Sequence, residues 1–336
     1  MTQPSSHPAA PHGRVGVLLV NLGTPDAPTP TEVRRYLRRF LSDRRVIELP
    51  RALWKPILTL ILCVRPKKVA HNYKMIWNEE HNVSPLLHYT RRQAEALAKA
   101  LPDVVVTPAM LYSAPDVAAS LAALREKGCD KILLAPLYPQ YSATTTAAVC
   151  DEAFRALIGM RRQPALRVLP AFYDDPAYIA ALAATYRRHI EGNAPDHTVF
   201  SFHGLPKRNL ELGDPYYCHC KKTGRLLAEA LGLEKNAYTV AFQSRFGRAE
   251  WLQPYAVPTL EKLAQGGVRR VAVMTPGFAS DCLETLEEIS IGARAAFLKA
   301  GGENFLYVPC LNDSQDADDL FARLIARELE GWRAQR

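Results

Sequence analysis

The sequence predicts an α/β protein of two similar lobes, each built on a parallel sheet, with a cleft between them. Short apolar runs alternate with segments of helical period along the chain, the pattern of parallel strands with helices on both faces. At 336 residues the chain exceeds one ordinary core and fits two domains of common size. The halves also echo one another. Lys131-Ile132-Leu133-Leu134-Ala135-Pro136, followed by a loop with Tyr138, Tyr141 and Ser142, matches Arg270-Val271-Ala272-Val273-Met274-Thr275-Pro276 with its Phe278 and Ser280.

Taken in order, residues 1–13 are polar and rich in Pro, Ser and His; lacking an apolar stretch, they read as a disordered tail and not as a secretory signal. The N-terminal lobe, 14–172, has strands at Val15–Val20, Val104–Thr107, Lys131–Leu137 and Arg167–Ala171, with helices at Thr31–Leu41, Arg91–Leu101 and Val117–Lys127. The C-terminal lobe, 173–312, has strands at Thr198–His203, Tyr238–Gln243, Arg270–Met274 and Phe305–Val308, and helices at Pro176–Ile190, Thr223–Leu231 and Leu283–Lys299. In the final segment, 313–336, Ala317–Trp332 is an amphipathic helix expected to pack back across both lobes, with Ser314 and Asp316 as N-cap residues.

Leu53–Val64 is apolar, contains Trp54 and runs into the basic cluster Arg65-Pro66-Lys67-Lys68. It falls short of the roughly 18 residues a membrane span needs. Two readings stay open: an ordinary buried helix, which the residues alone favour, or an apolar patch beside cations that rests on a membrane surface.

Composition narrows the function. Lys and Arg outnumber Asp and Glu by 42 to 34, a formal charge of +8 that suits anionic lipid or an acidic small molecule. No nucleic-acid module is recognisable. The seven cysteines are scattered and odd in number, which points to a reducing cytoplasm without disulfides. Neither G-x-G-x-x-G nor G-x-x-x-x-G-K-[ST] follows any strand, and Asn21-Leu22-Gly23-Thr24-Pro25-Asp26-Ala27-Pro28 places prolines where a phosphate cradle needs amides. A nucleotide-binding oxidoreductase is disfavoured.

The candidate site comes from two strand ends. Thr198–Phe202 runs into His203-Gly204-Leu205-Pro206, and Arg270–Met274 into Thr275-Pro276-Gly277-Phe278-Ala279-Ser280-Asp281-Cys282-Leu283-Glu284. Ligands of open α/β folds sit outside such carboxyl ends. An imidazole and a carboxylate delivered there, His203 and Glu284, suit the handling of protons and a metal ion. Glu288, one turn on, shares the helix face of Glu284. The bland alternatives are a capping box, Asp281-x-x-Glu284, and a satisfied strand-end histidine.

Five blocks in order resemble the ferrochelatase family: Val20-Asn21-Leu22-Gly23-Thr24-Pro25, Ser201-Phe202-His203-Gly204-Leu205-Pro206, Gly213-Asp214-Pro215-Tyr216, Phe242-Gln243-Ser244-Arg245-Phe246-Gly247 and Ser280-Asp281-Cys282-Leu283-Glu284-Thr285-Leu286-Glu287-Glu288. The resemblance implies two Rossmann-like lobes without nucleotide, a porphyrin cleft between them, and lips near 50–68 that rest on a membrane. It also implies insertion of Fe(II) into protoporphyrin IX, the last step of haem biosynthesis. His203 and Glu284 become the catalytic pair, and His203, Glu284 and Glu288 the groups that meet the metal. Whether His203 takes the pyrrole proton or ligates the iron stays open. No cofactor is needed beyond the substrate iron, and the expected location is cytoplasmic, peripheral on the inner face of the membrane. Alternatives are a coproporphyrin or cobalt chelatase of the same fold, or a non-catalytic porphyrin carrier.

Leu22, Tyr112, Tyr138, Tyr141 and Phe278 fall at strand ends where a flat apolar ring could lie, although each could equally be core. Ser142, Arg34, Arg35 and Lys207 are candidate propionate contacts. Leu111 and Cys282 stand where many family members carry Arg and His, and Gly292 ends the acidic row early. The chain stops without the cluster-bearing C-terminal extension of animal members. Some bacterial members hold an iron–sulfur cluster on internal cysteines. By that resemblance Cys150, Cys218 and Cys220 with Cys310 or Cys129 could carry a [2Fe–2S] cluster here, with ordinary reduced thiols the favoured reading. In an extended segment Cys218 and Cys220 would point the same way.

Overall fold

Apolar side chains that cannot be solvated on either face make a strand that must lie inside a sheet covered on both sides. The first strand, β1 (Arg14–Asn21), is buried along its length past Arg14. In the computed structural model, which describes residues 13–247 and 249–333, β1 is central to a four-stranded parallel sheet. Its neighbours are β2 (Val104–Met110) and β3 (Cys129–Pro136), and β4 (Ala165–Val168) adds to the edge. The second sheet repeats the order around β5 (His197–His203), with β6 (Tyr238–Gln243), β7 (Arg270–Met274) and β8 (Asn304–Val308), all parallel. The α/β class and the repeated lobe are as the sequence predicts. The expected tail lies outside the described residues apart from Gly13.

The helices supply the flanking layers. In chain order they are α1 (Pro30–Leu41), α2 (Arg51–Ile76), α3 (Pro85–Ala100), α4 (Val117–Glu126), α5 (Ala148–Ile158), α6 (Pro176–Ile190), α7 (Lys207–Glu211), α8 (Tyr216–Leu231), α9 (Ala256–Gln265), α10 (Arg294–Lys299) and α11 (Gln315–Glu328). Two begin well before the expected start. Ser84 caps α3 by accepting from the Leu87 N–H, with Pro85 at the first helical position. Asp214 accepts from the Tyr216 N–H at 3.0 Å and opens α8 seven residues before Thr223.

The buried-helix reading of 53–64 holds for one face of α2. Trp54, Leu58, Leu62, Pro66, Ala70 and Tyr73 recur at helical spacing and are buried. On the other side Leu53, Leu60 and Val64 are 64%, 70% and 77% exposed.

One core runs through the whole molecule: Val17 and Leu133 of the first sheet, Phe200 and Met274 of the second, and Phe321 and Leu324 of α11 belong to a single apolar cluster. Ser314, not Asp316, caps α11, since the Ser314 hydroxyl accepts from the Ala317 N–H. Asp316 instead pairs with Arg188 at 2.7 Å. Beyond α11, Arg333 pairs with Asp103 at 2.6 Å, and Arg167 donates to the carbonyls of Glu328 and Glu330.

The equivalent loops after β3 and β7 both enter helices through π-helical turns, Ala143–Ala147 and Glu284–Ala293. Such widened turns concentrate at functional sites.

Candidate active site

The loops that leave β1, β3, β5 and β7 meet over a cavity of about 290 Å³ at the carboxyl ends of both sheets. Leu22, Tyr138, His203 and Phe278 represent those four loops in its lining, and Glu284 follows from the fourth. Its wall is mainly apolar, with Tyr36, Tyr73 and Trp251 adding aromatic surface.

His203 is the last residue of β5, so the sheet fixes its backbone while the side chain leaves at the strand end. The next residue must be glycine. The Gly204 N–H donates to the Gln243 carbonyl at 2.8 Å, and a Cβ there would stand 2.6 Å from that oxygen. Burial pushes the His203 pKa below the ordinary imidazole value, against the smaller upward pull of the Glu284 charge. The ring is therefore neutral near pH 7 and free to accept a proton. Phe278 meets it edge-on, centroids 6.4 Å apart.

Glu284 opens the long π-helical turn. Its carbonyl accepts from Gln243 Nε2 at 2.7 Å, and Gln243 Oε1 in turn accepts from Ser201 Oγ at 2.8 Å. The capping-box alternative does not form. Asp281 is buried and accepts from Thr285 Oγ1 at 2.8 Å, Asn312 Nδ2 at 2.7 Å and the Tyr307 hydroxyl. Glu288 lies behind Glu284, outside the cavity lining. It accepts from the Ser244 N–H at 2.6 Å and from the Ser244 hydroxyl. Burial nevertheless holds its pKa above the usual carboxylate range, the Ser244 bonds opposing. Glu287 is raised likewise, by burial and by the charge of Glu288.

Of the expected ring contacts, Leu22, Tyr138, Ser142 and Phe278 line the cavity, whereas Tyr112 and Tyr141 do not. The Tyr112 hydroxyl donates to Asp43 at 2.8 Å inside the N-terminal core. Ser142 Oγ already donates to Asp214 at 2.9 Å. The expected basic contacts are spent elsewhere: Arg34 on the Leu62 carbonyl, Arg35 on Glu32, Lys207 on Glu250. Among the described lining residues the cation is Arg65, its guanidinium 4.4 Å from the Phe246 ring centroid and its pKa lowered by burial. Its place in a basic cluster beside an apolar helix hid it. Tyr138 and Trp251 also line this cavity, and the buried Tyr138 hydroxyl and Trp251 Nε1 have no hydrogen-bond partner.

The ferrochelatase family model matches residues 14–329, from the first strand to the end of α11. The chain belongs to the ferrochelatase family. The ferrochelatase of Rhizobium etli is 54% identical over 336 residues, covering 98% of both chains. That of Agrobacterium fabrum is 53% identical over 335 residues, 98% of this chain and 97% of the relative. More distant folds agree. SirB from Bacillus subtilis with Fe3+ superposes with a TM-score of 0.56 at 12% identity, covering 94% of this chain and 95% of SirB. CbiX, the terminal enzyme for biosynthesis of sirohaem in denitrifying bacteria, gives 0.53 at 16% identity, over 94% and 100%.

The cysteines expected to hold a cluster are scattered over several elements. Cys218 and Cys220 lie on α8, where residues two apart diverge by roughly 200°. Cys218 is accordingly exposed and Cys220 buried. Cys150 is half-buried on α5, Cys310 is buried beside the Thr275 hydroxyl, and Cys129 is buried on β3. Among the described residues no three His, Cys, Asp or Glu side chains are grouped to hold a metal ion, which applies to the expected cluster cysteines and equally to His203, Glu284 and Glu288 as a three-ligand set. No described helix is long and apolar enough to cross a membrane.

Proposed function

We propose that this ferrochelatase-family protein inserts Fe(II) into protoporphyrin IX, releasing both pyrrole protons, in haem synthesis. The carrying observation is a strand-end His203 that shares a mainly apolar cavity with Glu284. A metal entering the ring displaces the pyrrole protons, which requires a base in the cavity and a way out. His203 is that base, since burial keeps its nitrogen unprotonated. Glu284 takes the proton from the imidazolium and returns His203 to its neutral form for the second pyrrole proton. Glu288, raised by burial, carries the proton on from Glu284 along the π-helical face. Iron is a substrate here, and imidazole plus carboxylate oxygen suit a labile Fe(II).

A porphyrin buries a flat apolar face against Tyr36, Tyr138 and Phe278 and leaves its carboxylates to be paired. Arg65, the cation among the described lining residues, supports pairing with one. A carrier would not require His203 and Glu284 together. The exposed Leu53, Leu60 and Val64 beside Lys55, Lys67 and Lys68 support peripheral contact with an anionic membrane surface.

Anaerobic mixing of the protein with protoporphyrin IX and Fe(II) tests the reading. Collapse of the four free-base visible bands to two metalloporphyrin bands, faster than without protein, is the expected result. A bound but unmetallated spectrum would overturn it, and faster turnover of coproporphyrin would reassign the substrate.

A further inference from the structure

Cys218-His219-Cys220 has no part in the site described above, yet its histidine reaches across to the other lobe. His219, in the first turn of α8, accepts at Nδ1 from the backbone N–H of Tyr141 at 3.2 Å. Its ring lies flat on Tyr173, centroids 3.6 Å apart and planes within 8°. Accepting at Nδ1 requires that nitrogen to be bare, so the ring is neutral with its proton on Nε2. Two more anchors come from the same stretch of chain. Asp214 Oδ2 accepts from Ser142 Oγ at 2.9 Å and from the Ala143 N–H at 2.8 Å, and Thr223 Oγ1 accepts from Gln140 Nε2 at 3.1 Å. The run from Gln140 to Ala143, which leaves β3 for its π-helical turn, is thus fastened to α8 and to Asp214 just before it, with Gln140 Nε2 also donating to the Pro276 carbonyl at 3.1 Å. Gln140 and Ser142 line the cavity, as do the adjoining Tyr138, Thr144 and Thr145.

We propose that His219 is a positioning residue for the porphyrin: with Asp214 and Thr223 it clamps the 140–143 wall of the N-terminal lobe to the lobe that carries His203 and Glu284. The inference rests on the porphyrin reading above. It also makes the histidine, and not the thiols beside it, the functional member of the Cys218-His219-Cys220 run. Without the clamp, the Tyr141 and Ala143 amides lose their acceptors next to the cavity. The porphyrin must then order the wall as it binds, and that cost comes out of its affinity. His203 and Glu284 make no bond to the clamp, so its loss falls on binding and spares the chemical step.

Two substitutions separate the parts of His219. H219F keeps a ring on Tyr173 and removes the acceptor, whereas H219N keeps an acceptor near the place of Nδ1 and removes the stack. T223V, nearly isosteric in its buried position, removes one of the two acceptors of Gln140 Nε2, leaving the Pro276 carbonyl at 3.1 Å, and tests the same clamp should H219F not fold. Protoporphyrin Kd by fluorescence quenching and KM and kcat with Fe(II) are the readouts. H219F and T223V should raise Kd and KM about five- to tenfold, the worth of one net hydrogen bond, with kcat within about twofold and H219N near wild type. Wild-type Kd in both H219F and T223V would overturn the clamp, as would H219N weakened as much as H219F. Failure of the wild-type protein to metallate protoporphyrin would sink the porphyrin reading instead, which keeps the two failures distinct.

Discussion

Gln243 holds Glu284 by its backbone: the Gln243 amide donates to the Glu284 carbonyl at 2.7 Å while its own oxygen accepts from Ser201 at 2.8 Å. A side chain at the end of β6 therefore ties the π-helical turn to β5, the strand that ends in His203. The imidazole and the carboxylate are set in one hydrogen-bonded frame, although they come from loops far apart in sequence.

Replacing Gln243 by Leu keeps the volume and removes the frame. Ser201 is then left buried without a partner, at a stability cost of about 1–3 kcal/mol. Misplacement of Glu284 should lower kcat roughly 10- to 100-fold while porphyrin Kd stays within twofold. A Q243L protein with wild-type kcat would remove Gln243 from the positioning of the site.

His203→Ala should abolish metal insertion and leave porphyrin binding largely intact. The wild-type pH profile checks the same group. Burial depresses the His203 pKa, and the base form is the active one, so kcat/KM should rise with pH through a limb lying below the ordinary value of about 6.5. The folded state also binds this proton less readily than the unfolded chain. The contribution of His203 to stability is therefore complete above the ordinary imidazole pKa and is lost as pH falls through the depressed one. An acid limb at or above the ordinary value would contradict the neutral, buried imidazole.

His203 was legible in the sequence because an apolar run fixed the strand and the strand end fixed the position. Glu284 was legible for the same reason, but its π-helical turn was not, since an i→i+5 pattern leaves no mark in apolar periodicity over ten residues. The Cys218 and Cys220 geometry was misjudged for want of a helix start. Asp214-Pro215 carries that signal, an acceptor side chain followed by Pro at the N-cap, and Asp214 does accept from the Tyr216 N–H. Arg65 is not legible as a cavity residue because a cation in a run of cations looks solvated, and only the tertiary fold brings it over Phe246. Tyr112 illustrates the converse: a strand-end aromatic is as easily core, and Asp43 takes its hydroxyl.

Arg65→Met should separate recognition from chemistry. The substitution removes the cation from the cavity lining while retaining an apolar stem against Phe246. Loss of a charge-assisted carboxylate contact is worth about 1.5–3 kcal/mol, so protoporphyrin KM should rise on the order of tenfold or more with kcat little changed. The diester of the same porphyrin has no carboxylate to pair, and its affinity should be the same for both proteins. Equal loss for the acid and the diester would mean that Arg65 acts through packing alone.

The exposed face of α2 gives the prediction that bears on where the enzyme works. Leu53, Leu60 and Val64 present apolar surface on one side of a helix whose other side is core, so changing them should not unfold the protein. Their replacement by Ser removes surface worth roughly 25 cal/mol per Å² to an apolar phase. Association with vesicles containing anionic lipid should fall accordingly, and the residual binding should weaken with salt as Lys55, Lys67 and Lys68 are screened. Turnover with a porphyrin held in detergent micelles should be preserved, because none of the three residues lines the cavity. Unchanged vesicle association in the triple variant would show that this face meets something other than lipid, and unchanged salt dependence after Lys67→Gln and Lys68→Gln would remove the basic cluster from the contact.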